Sequence, residues 1–156
     1  MTDNAAPAIQ DRYPAAFAHC YGCGPRNPDG HHLKSRLDGD ETLAHFRAAE
    51  KYTGGFPGFA YGGLLASLLD CHGAATAAAF AARADGTDAD SGLSFPRFVT
   101  ASLKVDYKRP TPLGVDWVIR GKLKSLEGKK AWVELALTAG DETCVTGEML
   151  AIRIAD

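Results

Sequence analysis

Polar and apolar residues change their rhythm along this chain. From Gly62 to Arg83 apolar residues run almost without a break, with leucines at 64, 65, 68 and 69 followed by a tract dominated by alanine. Leucine and alanine favour helix, so the pattern predicts one helix over 62–83. A helix with no polar face must be covered on nearly every side. Asp70, His72 and Gly73 interrupt this one, which reads as a core helix rather than a membrane span. Past residue 100 the period becomes two: Leu103, Val105 and Tyr107 alternate with Ser102, Lys104, Asp106 and Lys108. Such alternation predicts half-buried strands over 101–109 and 116–124, a third around 131–137 and a fourth over 144–154. Turns at Thr111–Gly114, Glu127–Lys129 and Gly140–Glu142 suit hairpins, so the sheet should be antiparallel. Two shorter strands, 32–37 and 41–47, flank Asp38-Gly39-Asp40.

The elements add up to one α+β domain over residues 1–156, with a long central helix wrapped by an antiparallel sheet of about six strands. Residues 1–18 read as a frayed tail or a short docking segment. The polar loop over 84–92 reads as mobile and as a candidate lid over a pocket.

Charge narrows the partners. A formal net charge of -2 gives no global pull toward nucleic acid or anionic membrane. No charged-then-apolar leader opens the sequence, which leads to the expectation of a cytoplasmic protein. The four cysteines do not make a disulfide framework. Cys20-Tyr-Gly-Cys23 invites a zinc reading, yet a closed structural site wants four ligands, and Cys71 and Cys144 lie far off in sequence. The expectation is therefore a structural loop with no metal.

Asp70 is the one carboxylate inside the apolar helix. Its neighbours three and four positions away are Ala66, Ser67, Gly73 and Ala74, small enough for a second molecule to approach closely. Burial disfavours the ionised form and raises a carboxylate's pKa toward the range of a general base. Alternatively, Asp70 is a buried residue bonded to backbone or to a strand hydroxyl. Cys71 and His72 cannot join it on one atom, because successive helical residues point about 100° apart. The helix start is the second candidate. Gly62 and Gly63 leave backbone N–H groups bare at the positive end of the helix dipole, where a carbonyl oxygen can be polarised.

Three segments resemble the hotdog-fold acyl-CoA thioesterases of the phenylacetate-degradation (PaaI-like) type. The first is Gly55–Asp70: that family opens its helix with His-Gly-Gly and places an acid nine residues after the histidine, the spacing of Tyr61 to Asp70 here. The second is Thr100–Leu113, with a hydroxyl at its start and a Tyr-x-x-Pro ending. The third, Cys20-Tyr-Gly-Cys23-Gly24 with Asn27-Pro28, is similar to the opening of many such enzymes without implying metal. The resemblance spans about residues 20 to 154. It implies a hotdog fold and hydrolysis of an acyl-CoA thioester with no cofactor, coenzyme A being part of the substrate. It also implies roles for Asp70 as general base or nucleophile, the Gly62 N–H as oxyanion donor and Thr100 as partner of Asp70. Tyr61 stands where the family usually has histidine, and Gly55 stands near a loop asparagine that some members use. A tyrosine hydroxyl still donates a hydrogen bond but is not a cation at neutral pH.

Gly62 and Asp70 are eight residues apart, about 12 Å along a helix. A reacting carbonyl must touch both, so one helix cannot serve one thioester. Two antiparallel helices from a homodimer, alone or paired into a tetramer, would solve this. Arg97–Lys130 carries nine basic residues against three acidic. Lys108 and Arg109 are the candidates for coenzyme A phosphates, with Tyr61 and Gly63 also at the substrate. The alternatives are a non-catalytic acyl-CoA-binding or regulatory hotdog protein, favoured by Tyr61, and a hotdog hydratase or dehydratase, which would need a histidine beside its acid.

Overall fold

The computed structural model describes residues 7–87 and 94–155. Six strands form a single antiparallel sheet: β1 (Ser35–Asp38), β2 (Glu41–Phe46), β3 (Arg97–Tyr107), β4 (Trp117–Glu127), β5 (Lys130–Ala139) and β6 (Glu142–Ile154). Their order across the sheet is β1-β2-β4-β5-β6-β3, so β3 is an edge. The helix α1 (Gly62–Ala84) packs across the sheet against every strand. The expected α+β architecture and helix are therefore present. β1 begins at Ser35 rather than residue 32 because His32 sits in the left-handed region at φ 55°, which ends extended backbone.

Two chemistries cover α1. Its leucines, Leu64, Leu68 and Leu69, join Trp117, Ile119, Val133, Leu137, Val145 and Met149 in the core under the sheet. Its alanines, Ala75, Ala78, Ala79 and Ala82, pack with Ile9 and Phe95. Small side chains let that N-terminal segment lie close to the helix. The described part of the 1–18 segment is thus docked: a 3-10 turn over Ile9–Arg12 buries Ile9 and Gln10. Gly73 is equally constrained, since an added Cβ would stand 2.6 Å from the Met149 side chain. Although α1 has the length and hydropathy of a membrane span, 78% of its most apolar window is buried in the fold. Residues 88–92 of the loop proposed as a lid lie outside the described residues; at its start, Gly86 at φ 77° lets the chain turn away from α1.

A buried polar chain ties these layers together. His72, fully buried, meets Ser35 Oγ at 2.8 Å through Nδ1 and Thr42 Oγ1 at 2.9 Å through Nε2. Gln10 donates to Ser35 Oγ at 2.9 Å and accepts from the Ser35 N–H at 2.8 Å. Thr76 shares a 2.7 Å hydrogen bond with Thr42 and donates to the His72 carbonyl. The N-terminal segment, β1, β2 and α1 are thereby joined through one imidazole.

Burial lowers the His72 pKa from 6.5 to about 4, so the ring stays neutral in the fold while the unfolded chain takes a proton near 6.5. Stability from this residue is present above pH 6.5 and is lost as pH falls toward 4, by up to about 3 kcal/mol. Melting temperatures measured from pH 7 to 4.5 should fall more steeply for the wild type than for His72→Gln. Parallel slopes would contradict this account.

Candidate functional site

The exposed edge of α1 is narrow. Gly63, Ala66, Ser67, Asp70 and Ala74 retain solvent access between the sheet and the N-terminal segment. Their spacing of three and four residues places them on one helix face. Asp70 therefore stands half-buried on an open strip of small residues. That corrects the expectation of a carboxylate enclosed by apolar groups. The sheet covers one side of the helix and leaves this strip open.

Thr100 Oγ1 donates a 2.5 Å hydrogen bond to Asp70 Oδ1. A β-bulge makes this contact possible. Thr100 pairs with Ala151 while Ser102 pairs with Leu150, so Ala101 is an extra residue in β3. In a regular strand, Thr100 and the core-facing Leu103 would lie on opposite faces. The extra residue resets the alternation, so that Phe98 and Thr100 share the inward face with Leu103 and Val105.

Asp70 and Thr100 line a cleft together with Tyr13, Phe17, Cys20, Cys23, Cys71 and Arg97. Cys71 is distant from Cys20 in sequence, yet the two sulfurs are 3.8 Å apart. With Cys23 they form a cluster whose sulfurs all lie within 4.8 Å of one another. Folding the N-terminal segment onto α1 brings them together, and nothing in local sequence spacing signals that. Sharing of thiol protons with Cys23 first and then with Cys71 lowers the Cys20 pKa well below the usual thiol range. The same sharing, through Cys20 first, raises Cys23 to about 12 and Cys71 far above the usual thiol range. Successive residues Asp70, Cys71 and His72 meet three different surroundings, as their angular separation requires; His72 is in the core and takes no part in the cleft.

The helix start forms a second cleft. Gly62 and Gly63 line it with Ala60, Leu65, Lys108 and Arg109. Tyr61 is the N-cap and makes no side-chain capping bond, which leaves the first N–H groups of α1 without that partner. Tyr107 donates from its hydroxyl to the Gly62 carbonyl at 2.8 Å, fixing β3 to the helix start. Arg109 pairs with Glu142. The Tyr61 ring packs against Gly63, where an added Cβ would meet it at 2.7 Å. The expected site residues thus fall into two groups, Asp70 with Thr100 and Gly62–Gly63 with Lys108 and Arg109, at separate places on one chain.

Residues 57–146 match the thioesterase superfamily. The acyl-coenzyme A thioesterase THEM4 of Xenopus laevis is 31% identical over 103 residues, covering 66% of this chain and 40% of that protein. The matched region is therefore less than half of that curated relative. A thioesterase superfamily protein of known structure from Shewanella loihica PV-4 is 41% identical, with a TM-score of 0.68 over 90% of this chain and 97% of that one. The E. coli PaaI protein from the phenylacetic acid degradation operon shares the fold, with a TM-score of 0.64 over 80% of this chain and 81% of that one at 13% identity.

Because Cys20 is exposed and its pKa is lowered by its sulfur neighbours, its alkylation rate should fall off less steeply from pH 8 to pH 5 than that of a free thiol. An ordinary thiol slows about tenfold per pH unit in that range. Peptide mapping after iodoacetamide pulses would report this, and an ordinary pH profile at Cys20 would contradict the hydrogen-bonded trio.

Proposed function

This chain belongs to the thioesterase superfamily, and from that membership we propose that it hydrolyses the thioester of a small or medium acyl-coenzyme A. The observation that carries the reading is the Thr100–Asp70 hydrogen bond in a cleft beside the open strip of α1. Asp70 activates water, or attacks the carbonyl first to give an anhydride that water then opens. Thr100 fixes one carboxylate oxygen and leaves the other for the reacting group. The Gly62 N–H at the helix start receives the charge that develops on the thioester oxygen. Coenzyme A enters as substrate, and the hydrolytic step draws on no cofactor or metal.

Because these groups lie about 12 Å apart on α1, the site combines Gly62 of one chain with Asp70 of another. Several features support a two-fold dimer, alone or paired into a tetramer. β3 is a sheet edge with Val99 and Tyr107 exposed, and the strip of small residues around Asp70 is uncovered. Lys108, beside Gly62, attracts the coenzyme A phosphates, and Arg109 does so by exchanging its Glu142 partner.

Asp70→Asn should lower kcat about 100- to 10,000-fold while acyl-CoA binding persists. Unchanged turnover would sink the reading; tight binding by a wild type that hydrolyses no member of an acyl-CoA panel would instead identify a binding protein. Gly62→Pro deletes the proposed donor where the helix tolerates proline, since Tyr61 already has the φ -71°, ψ 145° that proline requires of its predecessor. It should cost about 100- to 1,000-fold in kcat. Mixing Asp70→Asn with Gly62→Pro chains should restore activity, because each heterodimer then holds one intact site. No restoration in verified heterodimers would reject the shared site.

A further inference from the structure

The sulfur cluster does not feature in this hydrolytic scheme. Three sulfurs within 4.8 Å of one another, on segments 48 residues apart at the nearer pair, are costly to assemble by chance packing. The local backbone is shaped for it. An added Cβ at Gly22 would stand 2.3 Å from Cys71 Sγ, so only glycine lets the turn press onto that sulfur. Gly24 is as restricted, its Cβ meeting the Cys20 backbone nitrogen at 2.3 Å. Bonds from Gly24 N–H to the Cys20 carbonyl at 2.7 Å and from Leu33 N–H to the Gly22 carbonyl at 3.1 Å hold the turn.

The spacing selects a class of ligand. A zinc ion with Zn–S bonds of about 2.3 Å in tetrahedral geometry sets its sulfurs about 3.8 Å apart. Cys20 and Cys71 already stand at 3.8 Å. A disulfide would require closure to about 2.05 Å. We propose that Cys20, Cys23 and Cys71 form a three-thiolate zinc site whose fourth position opens into the cleft that also holds Asp70 and Thr100. Two cysteines come from one tight turn and the third from the middle of α1, so the ion staples the N-terminal segment to the helix beside the proposed hydrolytic centre. Binding replaces the shared thiol protons: Cys23 and Cys71 release theirs to solvent as their sulfurs join Cys20 on the metal. Asp70 adds negative charge next to Cys23, which a cation there would relieve. The site is independent of the hydrolytic reading, and either can fail alone.

The test uses the full chain, fully reduced and freed of metal, titrated with zinc against a chromophoric chelator and with cobalt(II). Wild type should take up a single equivalent of zinc with release of protons and a rise in melting temperature. The cobalt form should show sulfur-to-metal charge transfer and the intense visible bands of tetrahedral coordination. Cys20→Ser, an exposed position expected to fold normally, should weaken zinc at least about tenfold and abolish the melting shift. Gly22→Ala keeps all three thiols but forces the turn off Cys71, and should weaken zinc as well. Cys144→Ala removes a cysteine outside the cluster and should bind like wild type. The inference is overturned if the reduced wild type takes up no zinc, if cobalt shows no thiolate charge transfer, or if Cys20→Ser and Gly22→Ala bind zinc as wild type does.

Discussion

An apolar helix with no polar face has to be enclosed, and how the chain encloses α1 decides where everything else can be. The sheet takes the leucine side through Trp117, Ile119 and Met149, and the N-terminal segment takes the alanine side through Ile9. Neither closes over the strip running from Gly63 to Ala74, although Thr100 of β3 touches Asp70 at its edge. Water, a ligand or another chain must cover that remainder. The one carboxylate of the helix, Asp70, lies within it.

Around Asp70 the regular angular step of a helix separates three chemistries. Asp70 turns to a strand hydroxyl, Cys71 to two sulfurs of the N-terminal turn, and His72 to a buried chain of hydroxyls and an amide. Each needs a different partner element, so α1 acts as the axle from which β3, the 20–23 turn and β1 are positioned. The His72 chain is satisfied at both ring nitrogens, which makes burial of that imidazole sustainable. It also secures the N-terminal segment that carries Tyr13, Phe17, Cys20 and Cys23 to the cleft.

The length of the helix sets the other constraint. The proposed donor at Gly62 and the proposed base at Asp70, eight residues apart, cannot meet on one rigid rod, and they line separate clefts. Membership of the thioesterase superfamily and 41% identity to a bacterial relative of known structure agree with the sheet order and the helix that create this geometry. Tyr61, in the place of the family's usual histidine, packs on Gly63 instead of lining the helix-start cleft.

Local pattern by itself determined the helix, the hairpin-linked strands after residue 100 and the α+β class, because periodicity records which side of each element is buried. The lone carboxylate and the bare helix start singled out Asp70 and Gly62, and family likeness added Thr100. Tertiary structure alone decided three things. The Ala101 bulge turned Thr100 inward, since one additional residue reverses a strand's alternation without changing its composition. The open strip left Asp70 half-exposed, since a sheet covers a cylinder on one side only. Docking of the N-terminal segment brought Cys71 to Cys20 and Cys23, a contact between residues 51 positions apart that no local spacing encodes.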